Sequence, residues 1–515
     1  MVASRLQLAR AAGLVSLLFA VSRLLGLLRE MVIGARFGTG AELDAYLAAF
    51  RLPDLIFYLA AGGALGSAFI PVFAASLARS SDADRAHAWR LASAVVNLVL
   101  LVTTALAALA ALLARPLVVG VIAPGFAPEQ QALTVALMRI MLLAPVIFGV
   151  SGIVMGILNS FQHFLGPALA PVVYNLAIIA AAWWLGPRLG ATGLALGVVT
   201  GALLHLLVQV PPLVRRRPQY VATLGLDEAE VREVGRLMAP RVLGLAAVQI
   251  NFLVNANLAS RLPDGSLSAL NYAWLMMLLP QGIVAQGLAT ALFPTFSAQA
   301  ARGETDALRR TLNAGLRAVL WLTLPAAAGL LILREPLVQA LFQRGEFTER
   351  STAMTAYALA FFAFGLAAHS LLEVVTRAFY ALHDTWTPVR VGLLAMALNV
   401  LLSLALLRPL AHGGLALANT VATTLETLAL LWLIRPRLGG IGGRRLVGSL
   451  LRSLAATLGM AAALWPFRAW AAGWSPWWVA AGGIVLGAVV YGGLALALGR
   501  EELASLRRRP RDEKA

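Results

Sequence analysis

Long apolar stretches alternate with short polar connections from one end of the chain to the other. A helix needs about 20 residues to cross about 30 Å of hydrocarbon. By that measure spans are predicted near 10–35, 43–77, 87–113, 131–157, 164–185, 190–213, 235–259, 267–298, 309–333, 352–378, 389–407, 412–434, 446–467 and 474–498. The pattern predicts an all-α polytopic membrane protein with about fourteen transmembrane helices. The first, second and eighth stretches are long and carry internal glycine or proline, so bends or interfacial portions are expected there.

The sequence also repeats itself. SAFIPVFAASLARSSDADR from Ser67 matches TALFPTFSAQAARGETDALRR from Thr290, with Pro71 against Pro294 and Arg79 against Arg302. RPLVVGVIAPGF from Arg115 matches EPLVQALFQRGEF from Glu335, and GLALGVV from Gly193 matches GLALANT from Gly414, all at an offset of about 220 residues. Matched prolines and charges argue for duplication over chance similarity of Ala- and Leu-rich text. Six spans per repeat keep both copies in one orientation. The expected organisation is two parallel six-helix lobes (1–213 and 235–434) around a central cavity, joined by a cytoplasmic linker (214–234). Two additional spans (435–499) and a basic tail (500–515) complete it.

An even number of spans places both termini on one side, and basic residues indicate which. Connections of one parity hold Arg79, Arg85 and Arg90; Arg215, Arg216, Arg217, Arg232 and Arg236; Arg302, Arg309 and Arg310; and Arg435, Arg437, Arg444 and Arg445. Those of the other parity often hold a single arginine, such as Arg115, Arg188 or Arg468. Both termini are therefore expected in the cytoplasm. The N-terminus resembles a signal peptide only superficially, because Arg23, Arg29 and Glu30 interrupt its apolar run; it reads as a retained span.

Those same charges are the chemical signal. Ser22, Arg23, Arg29, Glu30 and Arg36 fall in the first stretch, and Asp44, Arg51 and Asp54 at or within the second. Burying each in hydrocarbon costs on the order of 3 kcal/mol or more, so protein or water must face them. One reading makes them internal ion pairs or side chains reaching the interface. The other makes the arginines a receptor for an anionic substrate, since guanidinium matches phosphate bidentately. Further polar candidates inside apolar stretches are Arg241, Asn251, Asn255, Glu373 with Arg377, and the group Asn399, Ser403 and Thr420.

Composition narrows the classes. The chain has 515 residues, 60% hydrophobic and 13% charged, which excludes an ordinary soluble enzyme. The net charge of +17 is spread over span ends, a pattern for topology and anionic membrane lipids and not for nucleic acid. With no cysteine, disulfide and thiol chemistry are excluded. The six histidines have no zinc spacing, and no GxxxxGK[ST] loop marks an ATPase. No cofactor is expected beyond coupling to a monovalent cation.

SRLLGLLRE at Ser22–Glu30, FGTGAELDAYLAAFRLPDL from Phe37, GGALGSAFIPVF from Gly62, MAPRVLGLAAVQINFLVN from Met238, QGIVAQGLATALFPTFS from Gln281 and RAFYALHDTWTPV from Arg377 together resemble the MurJ/MviN lipid II flippases. The resemblance extends over essentially the whole chain and implies the multidrug/oligosaccharidyl-lipid/polysaccharide exporter superfamily. It implies translocation of undecaprenyl-diphosphate-linked peptidoglycan precursor across the bacterial cytoplasmic (inner) membrane by alternating access, with cell-wall synthesis enzymes as partners. By the resemblance, Arg23 and Arg29 match cavity arginines that would engage the diphosphate and Asp44 a required acid. Arg51, Arg241, Asn251 and Asn255 are further substrate-binding candidates. Glu30, Asp54, Glu373 and Arg377 are structural or gating candidates. Asn399, Ser403 and Thr420 correspond to a sodium site that some members hold, although Ser403 falls near a position that would want a carboxylate. The sequence departs from the pattern at Phe57 and Leu275, where relatives often carry arginine. Alternatives are export of another polyprenyl-linked glycan or of an amphipathic drug, or a non-transporting scaffold for cell-wall enzymes.

Overall fold

The computed structural model describes the backbone of residues 5–60, 64–78 and 82–498, with the side chains of all of these except 5–12, 60, 64–68, 78, 82–83 and 239–248. Every regular element among the described residues is helical. In chain order the principal helices begin with α1 (Arg5–Phe37), α2 (Ala41–Ala60), α3 (Ala64–Ala78) and α4 (Asp82–Leu112). Next come α5 (Pro128–Met141), α6 (Leu143–Ser160), α7 (Leu165–Trp184), α8 (Ala191–Leu207), α9 (Ala229–Ala259) and α10 (Ser266–Gln281). The remainder are α11 (Gly287–Ala301), α12 (Thr305–Ile332), α13 (Arg334–Phe342), α14 (Glu349–Ala381), α15 (Trp386–Ile434), α16 (Gly443–Trp470) and α17 (Pro476–Leu498).

Ten segments among the described residues are long and apolar enough to cross a membrane. Within the described residues the predicted stretches are helical, and of the bends expected from glycine and proline content one is seen, in the eighth stretch. α2 and α3 cover the second stretch on either side of 61–63, which lie outside the described residues, and the eighth contains a π-helical turn at Gly282–Gln286, one residue after Pro280. A π turn holds one residue more than the corresponding α-helical turn, and it follows closely on a proline that cannot donate to the helical ladder. The connection after α8 is not a loose linker. Asn97 of α4 donates to the carbonyls of Val221 and Thr223 and accepts from the Tyr220 hydroxyl, while Arg90 pairs with Glu228 at 2.7 Å.

α15, with 49 residues, would be about 74 Å long if straight, far beyond one bilayer crossing. Ala411 breaks it, at φ 46° and ψ −132°. The matching residue of the first repeat, Gly190, has nearly the same conformation, φ 55° and ψ −142°. Both turns then close on a glycine. A Cβ on Gly193 would lie 2.8 Å from the Leu185 carbonyl carbon, and one on Gly414 would lie 2.3 Å from the Leu406 carbonyl oxygen. Leu185 and Leu406 are equivalent positions, so the duplication seen in the text is also a duplication of backbone geometry.

Packing divides the chain into two compact units, Met1–Leu267 with Gly345–Phe347, and Ser268–Arg344 with Thr348–Ala515. In the first, α1 lies on α7, α2 on α5 and α9, and α4 on α6. Its core gathers Phe69, Phe73, Trp89, Val95, Ile153 and Ile157. In the second, α14 packs on α15 and α12, and α16 joins α12 to α17; the core gathers Phe296, Leu312, Leu316, Val374, Phe379 and Leu430.

The repeated turn yields a paired prediction. Ala411→Gly, which installs the residue that the first repeat uses, is expected to stabilise the protein by about 1 kcal/mol through relief of a glycine-type backbone. Gly414→Ala is expected to destabilise by about 2 kcal/mol or more by forcing a methyl into the Leu406 carbonyl. Thermal unfolding in detergent, followed by tryptophan fluorescence, checks both directions.

Candidate functional site

Charges in the second half of α1 are held by a neighbour that the charge pattern did not single out. Arg29 Nη2 and Nε donate to one oxygen of Glu30 at 2.6 and 3.1 Å, and Nη1 donates to Asn175 Oδ1 at 3.1 Å. Asn175, the sole amide in α7, donates in turn to the carbonyls of Pro171 at 3.0 Å and Ser22 at 3.3 Å. The amide thereby clamps α7 to α1 and fixes the plane of the guanidinium. Tyr46, Asp54 and Tyr174 lie within electrostatic reach of Arg29. Three of the five N–H donors of this arginine are engaged, which leaves two for an anionic ligand. The Arg29 side chain is 26% exposed and that of Glu30 15%.

Arg23 lies on the Glu30 side of α1 and is exposed. Arg51, half-buried on α2, places its guanidinium 5.5 Å from the centre of the Phe252 ring of α9, a cation–π contact, and feels the charge of Asp54 three residues on. Asn251 and Asn255 flank Phe252 and approach one another, Asn255 Nδ2 to Asn251 Oδ1 at 3.5 Å. Arg29 with Glu30 and Asn175, and Arg51 with Asp54 and the α9 asparagines, thus belong to one unit. The side chain of Arg241 lies outside the described residues.

Asp44 has a different position. It is 2% exposed, in the first turn of α2, and its Oδ2 accepts the Gly265 amide at 2.8 Å. Gly265 has φ +92°, and a Cβ there would lie 2.8 Å from the Thr39 carbonyl oxygen. The carboxylate therefore anchors the turn after α9 against the start of α2, where a charged acceptor on a buried amide is strong.

In the second unit Glu373 and Arg377 form the ion pair that their four-residue spacing suggested, and Arg377 Nη1 also donates to the Glu373 carbonyl at 2.8 Å. Asn399, Ser403 and Thr420 are buried and hydrogen-bonded. Ser403 donates to Asn399 Oδ1 at 3.2 Å and Thr420 donates to the Phe361 carbonyl at 2.9 Å. The trio holds no carboxylate, and among the described residues no cluster of three acidic or histidine side chains is suited to a metal. Their hydrogen bonds tie these helices into a packing network. The interior histidines are likewise bonded within the fold, His205 to Ser151 at 2.8 Å, His369 to Asn419 at 3.0 Å and His412 to the Met354 carbonyl at 2.9 Å.

The family model described as "Lipid II flippase MurJ" matches residues 33–482, most of the chain and all of the helices from α2 to α16. This chain belongs to the MurJ lipid II flippase family. It is a membrane transporter and not an enzyme. Among curated MurJ relatives, "Probable lipid II flippase MurJ" of Bdellovibrio bacteriovorus is 33% identical over 497 residues, 95% of this chain and 94% of that protein. A Rhizobium meliloti protein of the same description is 35% identical over 79% of this chain and 77% of its own length. The fold is shared with a solved structure titled "Lipid II flippase MurJ, inward closed conformation", at a TM-score of 0.80 and 24% identity, covering 95% of this chain and 99% of that one. A multidrug resistance MATE family transporter in an inward-facing conformation matches at a TM-score of 0.67 and 17% identity, over 81% of this chain and 94% of its own. Both solved structures share the fold of this chain.

The anchor at Asp44 separates two roles. Asp44→Asn retains an acceptor for the Gly265 amide and is expected to keep most of the stability, whereas Asp44→Ala leaves a buried N–H unsatisfied at a cost of about 1–3 kcal/mol. Equal losses in thermal unfolding would show that the charge, and not the hydrogen bond, holds this turn.

Proposed function

We infer that the protein carries lipid II, the undecaprenyl-diphosphate-linked peptidoglycan precursor, from the cytoplasmic to the outer leaflet of the bacterial inner membrane. Family membership over most of the chain supports the reading. One structural observation carries it to atoms: Arg29 is held by Glu30 and Asn175 with two donors left unengaged. Such a guanidinium is oriented in advance for a diphosphate and loses little freedom on binding. Arg23, exposed six residues earlier, supplies a second cation for the same group. Arg51 with Asn251 and Asn255 suits the sugar and second phosphate; Asp44 acts through the turn it anchors. Arg241 is a further candidate from the sequence.

In the same reading the ten apolar segments, with α1, α2–α3 and α9 added and α15 counted as two passes, form fourteen spans: two six-helix lobes and two terminal helices, both termini cytoplasmic. Transport proceeds by alternating access, with Glu373–Arg377 as a structural pair in the second lobe. A second reading, export of a different polyprenyl-linked glycan, is favoured by one observation. Phe57 stands where relatives often carry an arginine and packs edge-on against Phe148, centroids 5.4 Å apart, so this wall is aromatic.

Vesicles reconstituted with the protein and labelled lipid II test the proposal. Flipping well above protein-free vesicles under an imposed membrane potential is the expected outcome. Arg29→Ala is expected to lower it at least about tenfold, and Arg29→Lys to recover only part, since the charge survives and the fork does not. Rates equal to empty vesicles, with faster movement of another undecaprenyl-linked glycan, select the second reading.

A further inference from the structure

Two faces of α2 differ in chemistry. On one, Phe57 packs edge-on against Phe148, whose ring meets that of Tyr174 with centroids 5.3 Å apart. Arg51, Asp54 and Tyr58, spaced by three and four residues, fall together on the other. Asp54 lies within electrostatic reach of both Arg51 and Tyr58, and Arg51 sits over the Phe252 ring of α9. Tyr58 is 37% exposed, the one exposed side chain among the described residues 51–59. A face that carries two charged side chains at membrane depth borders protein or water, not lipid tails, so Tyr58 opens onto the same polar space. Its ring is also held in place: it meets Phe57 with centroids 5.4 Å apart and planes at 67°, and Phe57 is fixed in turn by Phe148. The result is an aromatic surface that is anchored on one side and uncovered on the other.

Two turns along the same face, hydrogen-bonding capacity is left over. Arg51 Nε and Asn255 Oδ1 are shielded from solvent and have no hydrogen-bond partner among the described residues, while the Asn255 amide nitrogen is spent on Asn251. Phe252 and Asn255 are three residues apart on α9 and hence neighbours, which brings the orphan carbonyl to the ring that Arg51 covers. One orphan is a donor and the other an acceptor, and each carries a desolvation cost that a partner would remove. A hydroxyl group accepts from the first and donates to the second; an ionised phosphate oxygen can only accept. Arg51 and Tyr58 are seven residues apart, about 10 Å along the helix, comparable to the length of two linked pyranose rings. A sugar ring is apolar on its C–H faces and ringed by hydroxyls, so it calls for a flat aromatic surface with mixed donors and acceptors nearby. This face of α2 supplies both.

We propose that Tyr58 is the platform on which a sugar ring of the carried head group stacks, with Arg51 and Asn255 engaging its hydroxyls. On this assignment α2 reads carbohydrate and Arg29 reads diphosphate, and Tyr58 is a residue that sets specificity. The assignment rests on the lipid II reading and adds to it the part of the substrate that this face recognises.

Affinities of the full-length protein in nanodiscs for lipid II and for undecaprenyl diphosphate, which shares the diphosphate and tail but has no sugar, test it. Wild type is expected to prefer lipid II. Tyr58→Leu is expected to weaken lipid II binding about fivefold and leave undecaprenyl diphosphate unchanged, Tyr58→Phe to keep the preference because the ring survives, and Arg29→Ala to weaken both lipids. Equal wild-type affinity for the two lipids, or a Tyr58→Leu variant that keeps the full preference, overturns the platform and leaves lipid II transport standing. Equal loss of both lipids in Tyr58→Leu overturns it too, in favour of a packing role for the ring. Wild-type protein that binds neither lipid overturns the platform and the lipid II reading together. If Tyr58→Leu does not fold, lipid II with a photoactivatable group on its sugar decides on the wild-type protein: labelling within 51–58 and 251–255 supports the platform, and labelling confined to other segments refutes it.

Discussion

A guanidinium at membrane depth must be solvated by protein, and the way Arg29 is solvated organises the first unit. Glu30 supplies the countercharge from the adjacent residue, and Asn175 supplies a neutral acceptor from another helix. Because Asn175 also bonds two backbone carbonyls, the helix pair α1–α7 and the orientation of the cation are one structural fact. The arrangement neutralises most of the desolvation penalty without exhausting the donors. A pair that used all five N–H groups would be a fold element only; one that used none would not be stable.

Much of this was legible in the text of the chain. Helix positions followed from hydropathy alone, and the i, i+4 spacing of Glu373 and Arg377 anticipated their pairing. Arg29 and Glu30 stood out as charges in an apolar run. Asn175 did not, because one amide among apolar residues carries no net charge and its partner is 146 residues away. The available signal was its isolation: a lone amide in a membrane helix needs a partner. Asp44 was recognised as important, yet its bond to Gly265 crosses 221 residues and depends on a turn geometry that hydropathy does not encode. The contacts of Asn399, Ser403 and Thr420 were likewise outside what residue type reveals. The Ser403 and Thr420 hydroxyls donate within and between helices, to Asn399 and to the Phe361 carbonyl.

The duplication is the most informative long-range pattern. Sequence similarity between GLALGVV and GLALANT is short, but the backbone at Gly190 and Ala411 agrees to within about 10° in each angle. Alanine occupies that conformation only because the surrounding helices over-determine it. Conservation of shape at a position where the residue has changed is stronger support for common origin of the halves than the aligned letters.

The π turn at Gly282–Gln286 has a consequence for how this part of the chain tolerates change. One surplus residue in the turn displaces the angular phase of α11 relative to α10 by about 100°, so a wheel drawn through both helices assigns half the side chains to the wrong neighbours. Removing a residue here would straighten the rod and swing one flank around its axis, a lesion no single replacement can mimic. Length, more than identity, is what this pentapeptide encodes.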